Sequence, residues 1–211
     1  MSVVSVSQQI HQLVALGVPA VAGLTERAFR ARAAGLPGLE GAVVVVHPRL
    51  APARELAPLL TRNGKPGFVV VDLTDLGEFR DVNGLDVPDA DLYLLADVDR
   101  GDDLRNWSPD EVYPEFERRG RSPLTVSEGI SWLLTHPDVL APNHCFMTIG
   151  SRKVDDASGA FDTRTPALWI SGGTGRDGKE NRGAPKVGWC WAGNRHTWLG
   201  FASTGMRVAA A

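Results

Sequence analysis

Pro185-Lys-Val-Gly-Trp-Cys-Trp-Ala-Gly-Asn-Arg-His-Thr-Trp-Leu-Gly200 is the stretch on which the fold turns. Large apolar residues alternate with smaller ones over Val187–Trp191, and a second strand-like run occupies Thr197–Ser203. Two such runs around a polar, glycine-containing turn describe a hairpin. If Gly193-Asn194 is a two-residue turn, Trp189 lies opposite Trp198 and Trp191 opposite His196. If the loop takes Ala192 to His196, Trp191 faces Thr197 and Trp198 joins Cys190 on the opposite face. Either register leaves Trp189 and Trp191 on one face, because strand side chains alternate with period two.

Upstream, Cys145–Ile149 and Ala167–Ser171 add two more strand candidates, separated by the long polar segments Gly150–Thr165 and Gly172–Lys186. The first two thirds of the chain read differently. Ile10, Leu13, Val14 and Gly17 keep helical spacing over residues 6–16, and Thr25 caps a second helix that runs to Ala34. Val43–Val46 is a buried-strand pattern, followed by a helix from Ala51 to Arg62 that stops at Asn63-Gly64, and then by strands at Phe68–Val71 and Leu92–Ala96. That order predicts a β-α-β unit with parallel pairing. Ser108-Pro109-Asp110-Glu111 and Thr125-Val126-Ser127-Glu128 are helix starts, the first helix being cut short or bent by Pro114. The expected fold is α+β: N-terminal helices and a β-α-β segment packed against a C-terminal, largely antiparallel sheet with a Trp-rich hairpin. One continuous mixed sheet is the alternative. The length suits one domain, 1–211, with sub-regions 1–140 and 141–211.

Twenty-two Lys and Arg against 25 Asp and Glu give a net charge of −3, and 43% of the 211 residues are hydrophobic. That balance argues against disorder and gives non-specific nucleic-acid binding no support. The longest apolar stretch, Leu13–Leu24, is far too short to span a bilayer. The first dozen residues lack the basic flank of a secretory signal. With only two cysteines, Cys145 and Cys190, a cytoplasmic protein with reduced thiols is expected. Charge is segregated: residues 68–117 hold 15 acids and 3 bases, residues 144–211 hold 5 acids and 9 bases. The two regions either face one another or the second presents an anion-binding surface.

Several groupings could carry chemistry. Trp189, Trp191 and Trp198 offer flat rings for stacking, with Asn194, Arg195 and His196 at the turn. Arg164, Arg176 and Arg195 would hold an anionic group and His196 would exchange a proton, the whole forming a small-molecule site with enzyme activity left open. Cys190 and His196 form a thiolate–imidazole pair in some registers only. Gly173 to Lys179 copies the spacing of a phosphate loop. Glu180, however, occupies the Mg²⁺-binding position, and Gly183 and Pro185 forbid the helix that must follow. A mobile basic flap bearing Arg176, Lys179 and Arg182 is expected instead. His144 and Cys145 point to opposite strand faces, which disfavours zinc, so no metal or cofactor is assigned. Two other classes compete. Exposed indoles and arginines suit an interaction or scaffold module. His47, Asp72 and Asp97 each follow a strand, and Asp97 with Asp99, near Asp102 and Asp103, could hold Mg²⁺ in an enzyme.

Three blocks carry a resemblance: Gly120-Arg-Ser-Pro-Leu-Thr-Val-Ser-Glu-Gly129, Pro166-Ala-Leu-Trp-Ile-Ser171 and Pro185–Gly200. From about Leu56 to the C-terminus the chain resembles an actinobacterial family known only as a domain of unknown function. The resemblance implies a bacterial, cytoplasmic setting and no particular activity, substrate or catalytic residue. Oligomeric state stays open.

Overall fold

The computed structural model describes residues 4–82, 84–155 and 158–210. Three helices lead the chain: α1 (Val6–Ala15), α2 (Val18–Val21) and α3 (Glu26–Ala33). Ser5 and Gln8 form the capping box that starts α1, and Thr25 caps α3. Strand β1 (Val43–Val46) is fully buried, and the buried Gln9 of α1 ties to it by donating to Ala42 O (2.6 Å) and accepting from Val44 N (2.8 Å).

Helix α4 is only Ala53–Leu56, continued by a 3-10 turn that ends at Leu59. The helix expected to reach Arg62 is replaced by a hairpin of β2 (Thr61–Arg62) and β3 (Lys65–Pro66). Asn63 (φ 51°) and Gly64 (φ 75°) are both left-handed, the geometry of a two-residue hairpin turn rather than a helix stop. Then come β4 (Phe68–Val69), β5 (Arg80–Asp81) and β6 (Leu92–Ala96). Helix α5 (Pro109–Arg119) runs straight through Pro114 to Gly120. Asp110 and Pro114 both sit on its exposed side, so the carbonyl freed by the missing N–H faces water. Strand β7 (Ser122–Pro123) precedes α6 (Val126–Thr135), after which the chain is β8 (Cys145–Met147), β9 (Ser151–Arg152), β10 (Arg164–Ile170), β11 (Pro185–Trp191), β12 (Leu199–Phe201), β13 (Ser203–Thr204) and β14 (Met206–Ala209).

Two sheets dominate, in an α+β arrangement. One is antiparallel, in the order β1-β6-β14; the other is mixed, in the order β12-β8-β10-β11-β4. Helix α6 packs against β1 and β10, and all ten of its residues are buried. Its sequence is apolar round most of its circumference because both flanks meet a sheet. Ser131 Oγ accepts from Val46 N (3.1 Å) on one side. On the other, a Cβ on Gly129 would stand 2.6 Å from Thr148 Cγ2 and 2.9 Å from Leu168 Cδ1, so only glycine allows this approach.

The expected pairings change in two places. Strands β1 and β6 are antiparallel, Val43 opposite Leu95, and β4 joins the other sheet, parallel to β11. A four-residue helix spans only about 6 Å, too little to return the chain along a strand of roughly 13 Å, so no parallel crossover forms. The Trp-rich hairpin is also absent. Both edges of β11 are taken, by β10 and β4, and β12 lies at the far end of the sheet, parallel to β8 with Leu199 opposite Cys145. The C-terminal sheet is therefore mixed rather than largely antiparallel. Strands of 1–140 and 141–211 share both sheets. Among the described residues, no helix is long and apolar enough to cross a membrane.

Candidate functional site

The start of α6 is built from a capping box: Glu128 N donates to Thr125 Oγ1 (3.3 Å) and Thr125 N to Glu128 Oε2 (2.7 Å). Glu128 is wholly buried and held bidentately by Arg207 of β14, Nε to Oε1 at 2.6 Å and Nη2 to Oε2 at 2.9 Å. Tyr93 also donates to its Oε1 (2.9 Å). Val126 N donates to Ser151 Oγ (3.0 Å). Ser127 is left over. It is 4% exposed, and among the described residues its hydroxyl has no hydrogen-bond partner and its N–H no acceptor. First-turn N–H groups carry the positive end of the helix dipole.

Ser127 lines a cavity of about 540 Å³. His47, Arg49 and Arg80 form its basic rim, Asp81 its acidic one, and Pro48, Pro52, Ala53, Leu76 and Phe79 its apolar wall. His47 Nδ1 accepts from Arg49 N (3.1 Å), so the neutral ring carries its proton on Nε2. Burial and then the Arg49 charge push its pKa down, against the pull of Asp81, which keeps the ring neutral at pH 7. Arg49 is occupied by Asp91 (2.9 Å) and Asp89. Asp81 is exposed and has neither hydrogen bond nor ion pair among the described side chains; the protein beside it and the Glu128 charge push its carboxyl up, against His47, Arg207 and Arg80.

The residues singled out by sequence lie elsewhere. Trp189 and Trp191 do share a face, their rings 4.6 Å apart at 73°. Arg176 stacks over Trp189 at 4.4 Å, with Arg164 6.0 Å away and also 5.5 Å from Phe79. Trp198 belongs to another group, 5.4 Å from His196 and 6.1 Å from Trp169. The three arginines already have counter-ions. Arg164 holds Asp75 (2.7 Å) and Asp162 (2.6 Å), Arg176 holds Asp72 (2.7 Å), and Arg195 pairs with Glu111 and donates to Asn106 O (2.9 Å). Asn194 is exposed at the turn, its N–H on Trp191 O (3.0 Å).

Burial pushes the Cys190 thiol up to about 11 and the His196 imidazole down. Neither an active thiolate nor a hydrogen bond between the two is present among the described residues, and His196 Nε2 is buried without a partner. The segment read as a mobile basic flap is folded round Asp177. That buried carboxylate accepts from Lys186 Nζ (2.6 Å) and Ser171 Oγ (3.0 Å), while Asn181 donates to the Asp177 carbonyl (2.8 Å). The strand-end acids are engaged too: Asp97 with Arg121 (2.7 Å), Asp99 with Gly101 N (2.5 Å), Asp102 with Arg100 (2.5 Å) and Arg105 (2.8 Å). Among the described residues, no three His, Cys, Asp or Glu side chains come together to hold a metal.

Sequence reasoning placed Ser127 only inside a capping box and His47 only at a strand end. The available signal was a serine at the second position of a helix whose other early positions are apolar or capping.

The sequence matches the model of the Family of unknown function (DUF5701) over residues 12–210, and the chain belongs to that family. The match begins well ahead of Leu56, taking in α2, α3 and β1. No curated protein and no solved structure matches the chain.

Proposed function

We propose that this family member binds a small molecule in the cavity over the start of α6. The carrying observation is Ser127, a hydroxyl on a residue 4% exposed, at a helix N-terminus, with no protein partner. That hydroxyl is not among the sealed, unpartnered side-chain atoms, so it opens onto the cavity and is available to hydrogen-bond a bound molecule. The cavity has the character of a ligand site: a volume of about 540 Å³, an apolar wall and a few convergent polar groups. The His47 Nε2–H and the first turn of α6 both offer donors.

The test is a thermal-shift and native mass-spectrometry screen of the full chain against a metabolite library. A ligand retained or captured by the wild type should bind about tenfold or more weakly to Ser127→Ala, the loss expected for one buried hydrogen bond. Ala53→Leu, which fills the cavity, should abolish binding, and Trp191→Ala should leave it intact. Binding that survives Ala53→Leu overturns the proposal.

Trp191 (47% exposed) and Val71 (72%) favour a second reading, an interaction surface beside β4. It predicts that Trp191→Ala changes a sedimentation profile without changing ligand binding. The setting we infer is a reducing bacterial cytoplasm. Both cysteines are free, as a reducing compartment would keep them.

A further inference from the structure

The antiparallel sheet β1-β6-β14 has two edges, and they are finished differently. His47 N donates to Asp91 O (3.0 Å), in register with Val43 opposite Leu95, so the odd-numbered residues of β1 and β6 exchange hydrogen bonds. The N–H groups of Val44 and Val46 then point outward, and side chains close them. Val44 N donates to Gln9 Oε1 (2.8 Å) and Val46 N to Ser131 Oγ (3.1 Å), while Gln9 Nε2 donates to Ala42 O (2.6 Å). Alternation leaves the even-numbered residues of β6 for β14, where Leu94 stands opposite Val208 and Ala96 opposite Met206. Arg207 and Ala209 therefore turn their N–H and C=O groups away from the sheet. Among the described residues those groups meet no partner. The Arg207 side chain is 4% exposed although the residue as a whole is half-buried, so what it shows to solvent is main chain.

We propose that this open edge docks a second copy of the chain, β14 against β14, antiparallel about a two-fold axis at Val208. The strand is complementary to itself. Arg207 and Ala209 lie symmetrically about Val208, so the outward N–H and C=O of each meet those of the other residue in the second copy. The side chains agree with this register. Val208 faces Val208, the exposed Met206 faces Ala210, and Arg207 faces Ala209 while its charge is held by Glu128 of its own chain. No like charges are opposed. Strand β14 also has no proline and no outward charge, the devices that usually keep an open edge from pairing. The result is one continuous sheet in the order β1-β6-β14-β14-β6-β1. A seam this short buries far less than the roughly 800 Å² per partner of a standard interface, so the dimer is reversible. It is independent of the cavity at α6.

The experiment is sedimentation velocity on the full chain from about 1 µM to about 500 µM, where a monomer–dimer equilibrium should appear. Ala209→Pro removes an outward N–H without costing a bond to β6, and it should weaken association about tenfold or more. Val208→Lys and Val208→Glu each set like charges across the two-fold axis, so each alone should be monomeric, and an equal mixture should associate again. Trp191→Ala, on the mixed sheet, should leave the equilibrium unchanged. Thermal melts establish which variants are folded, and either the proline or the charge-pair route decides. A wild-type chain that stays monomeric at every concentration overturns the proposal, as does a dimer that survives Ala209→Pro or a charge-pair mixture that does not reassociate.

Discussion

Thr165 and Cys190 stand opposite each other in the β10–β11 ladder, and the Thr165 hydroxyl is buried without a hydrogen-bond partner. Apolar surroundings of this kind disfavour a thiolate, which is why the Cys190 pKa is pushed up to about 11 from an ordinary 9.0. The stability consequence has a definite sign. Between those two values the unfolded chain loses the proton first, so the native state binds more protons and stability falls as pH rises. The contribution is fully present below pH 9 and is lost toward pH 11, amounting to at most about 2 kcal/mol. Urea melts between pH 8 and 11 should show this decline, with Cys190→Ala flattening part of it. An unchanged slope in the variant would mean the thiol is less enclosed than its surroundings indicate. The same burial keeps the Cys190 thiol protonated at neutral pH.

At the level of elements, α6 decides the architecture, because a helix buried on every side must fit two sheets at once. Gly129→Ala tests that fit. Alanine improves helix propensity by about 1 kcal/mol, but the new methyl would lie 2.6 Å from Thr148 Cγ2. Overpacking typically costs 1–3 kcal/mol, so a net destabilisation of about 0–2 kcal/mol is expected from denaturant melts, and a stabilised variant would refute the close approach. The start of this helix was readable because Thr125 and Glu128 lie three residues apart, as was the start of α5 at Ser108 and Glu111. Strand partners were not readable. Val43–Val46 is buried whether its neighbour runs parallel or antiparallel, and the choice was made by Leu92–Ala96, some fifty residues away. Trp189 and Trp191 were placed on one face by local periodicity alone, whereas Asp72, which neutralises Arg176, and Asp75, which shares Arg164 with the nearby Asp162, come from a remote segment. The cavity was hidden for a related reason: the lack of a partner for Ser127 is a property of everything packed around it.

Across the whole molecule, the acid-rich and base-rich segments meet. Lys153 and Arg164 share Asp75, Arg176 takes Asp72, and Arg195 takes Glu111. Partly exposed pairs of this kind contribute little each, about 0–1 kcal/mol, so they account for the charge segregation more than for stability. The tie that matters is buried. Arg207 bonds Glu128, Ser122 Oγ (2.5 Å) and Pro123 O (2.9 Å), so one side chain from the last strand joins β14, β7 and α6, while β14 itself covers the edge of β6. Removing one partner of a buried ion pair costs about 3–5 kcal/mol, because the other charge is left in a low-dielectric interior. Arg207→Met should therefore lower the unfolding free energy by about that amount while preserving a single cooperative transition. Deleting residues 206 to 211 should do more, since it strands Glu128 and also bares the backbone of β6. Against a typical total of 5–15 kcal/mol, that loss should abolish the cooperative transition altogether, with near-ultraviolet circular dichroism collapsing toward the unfolded signal. A truncated chain that still melts cooperatively would mean that the first sheet holds without β14. The site at the start of α6 would then have to draw its rigidity from the mixed sheet alone.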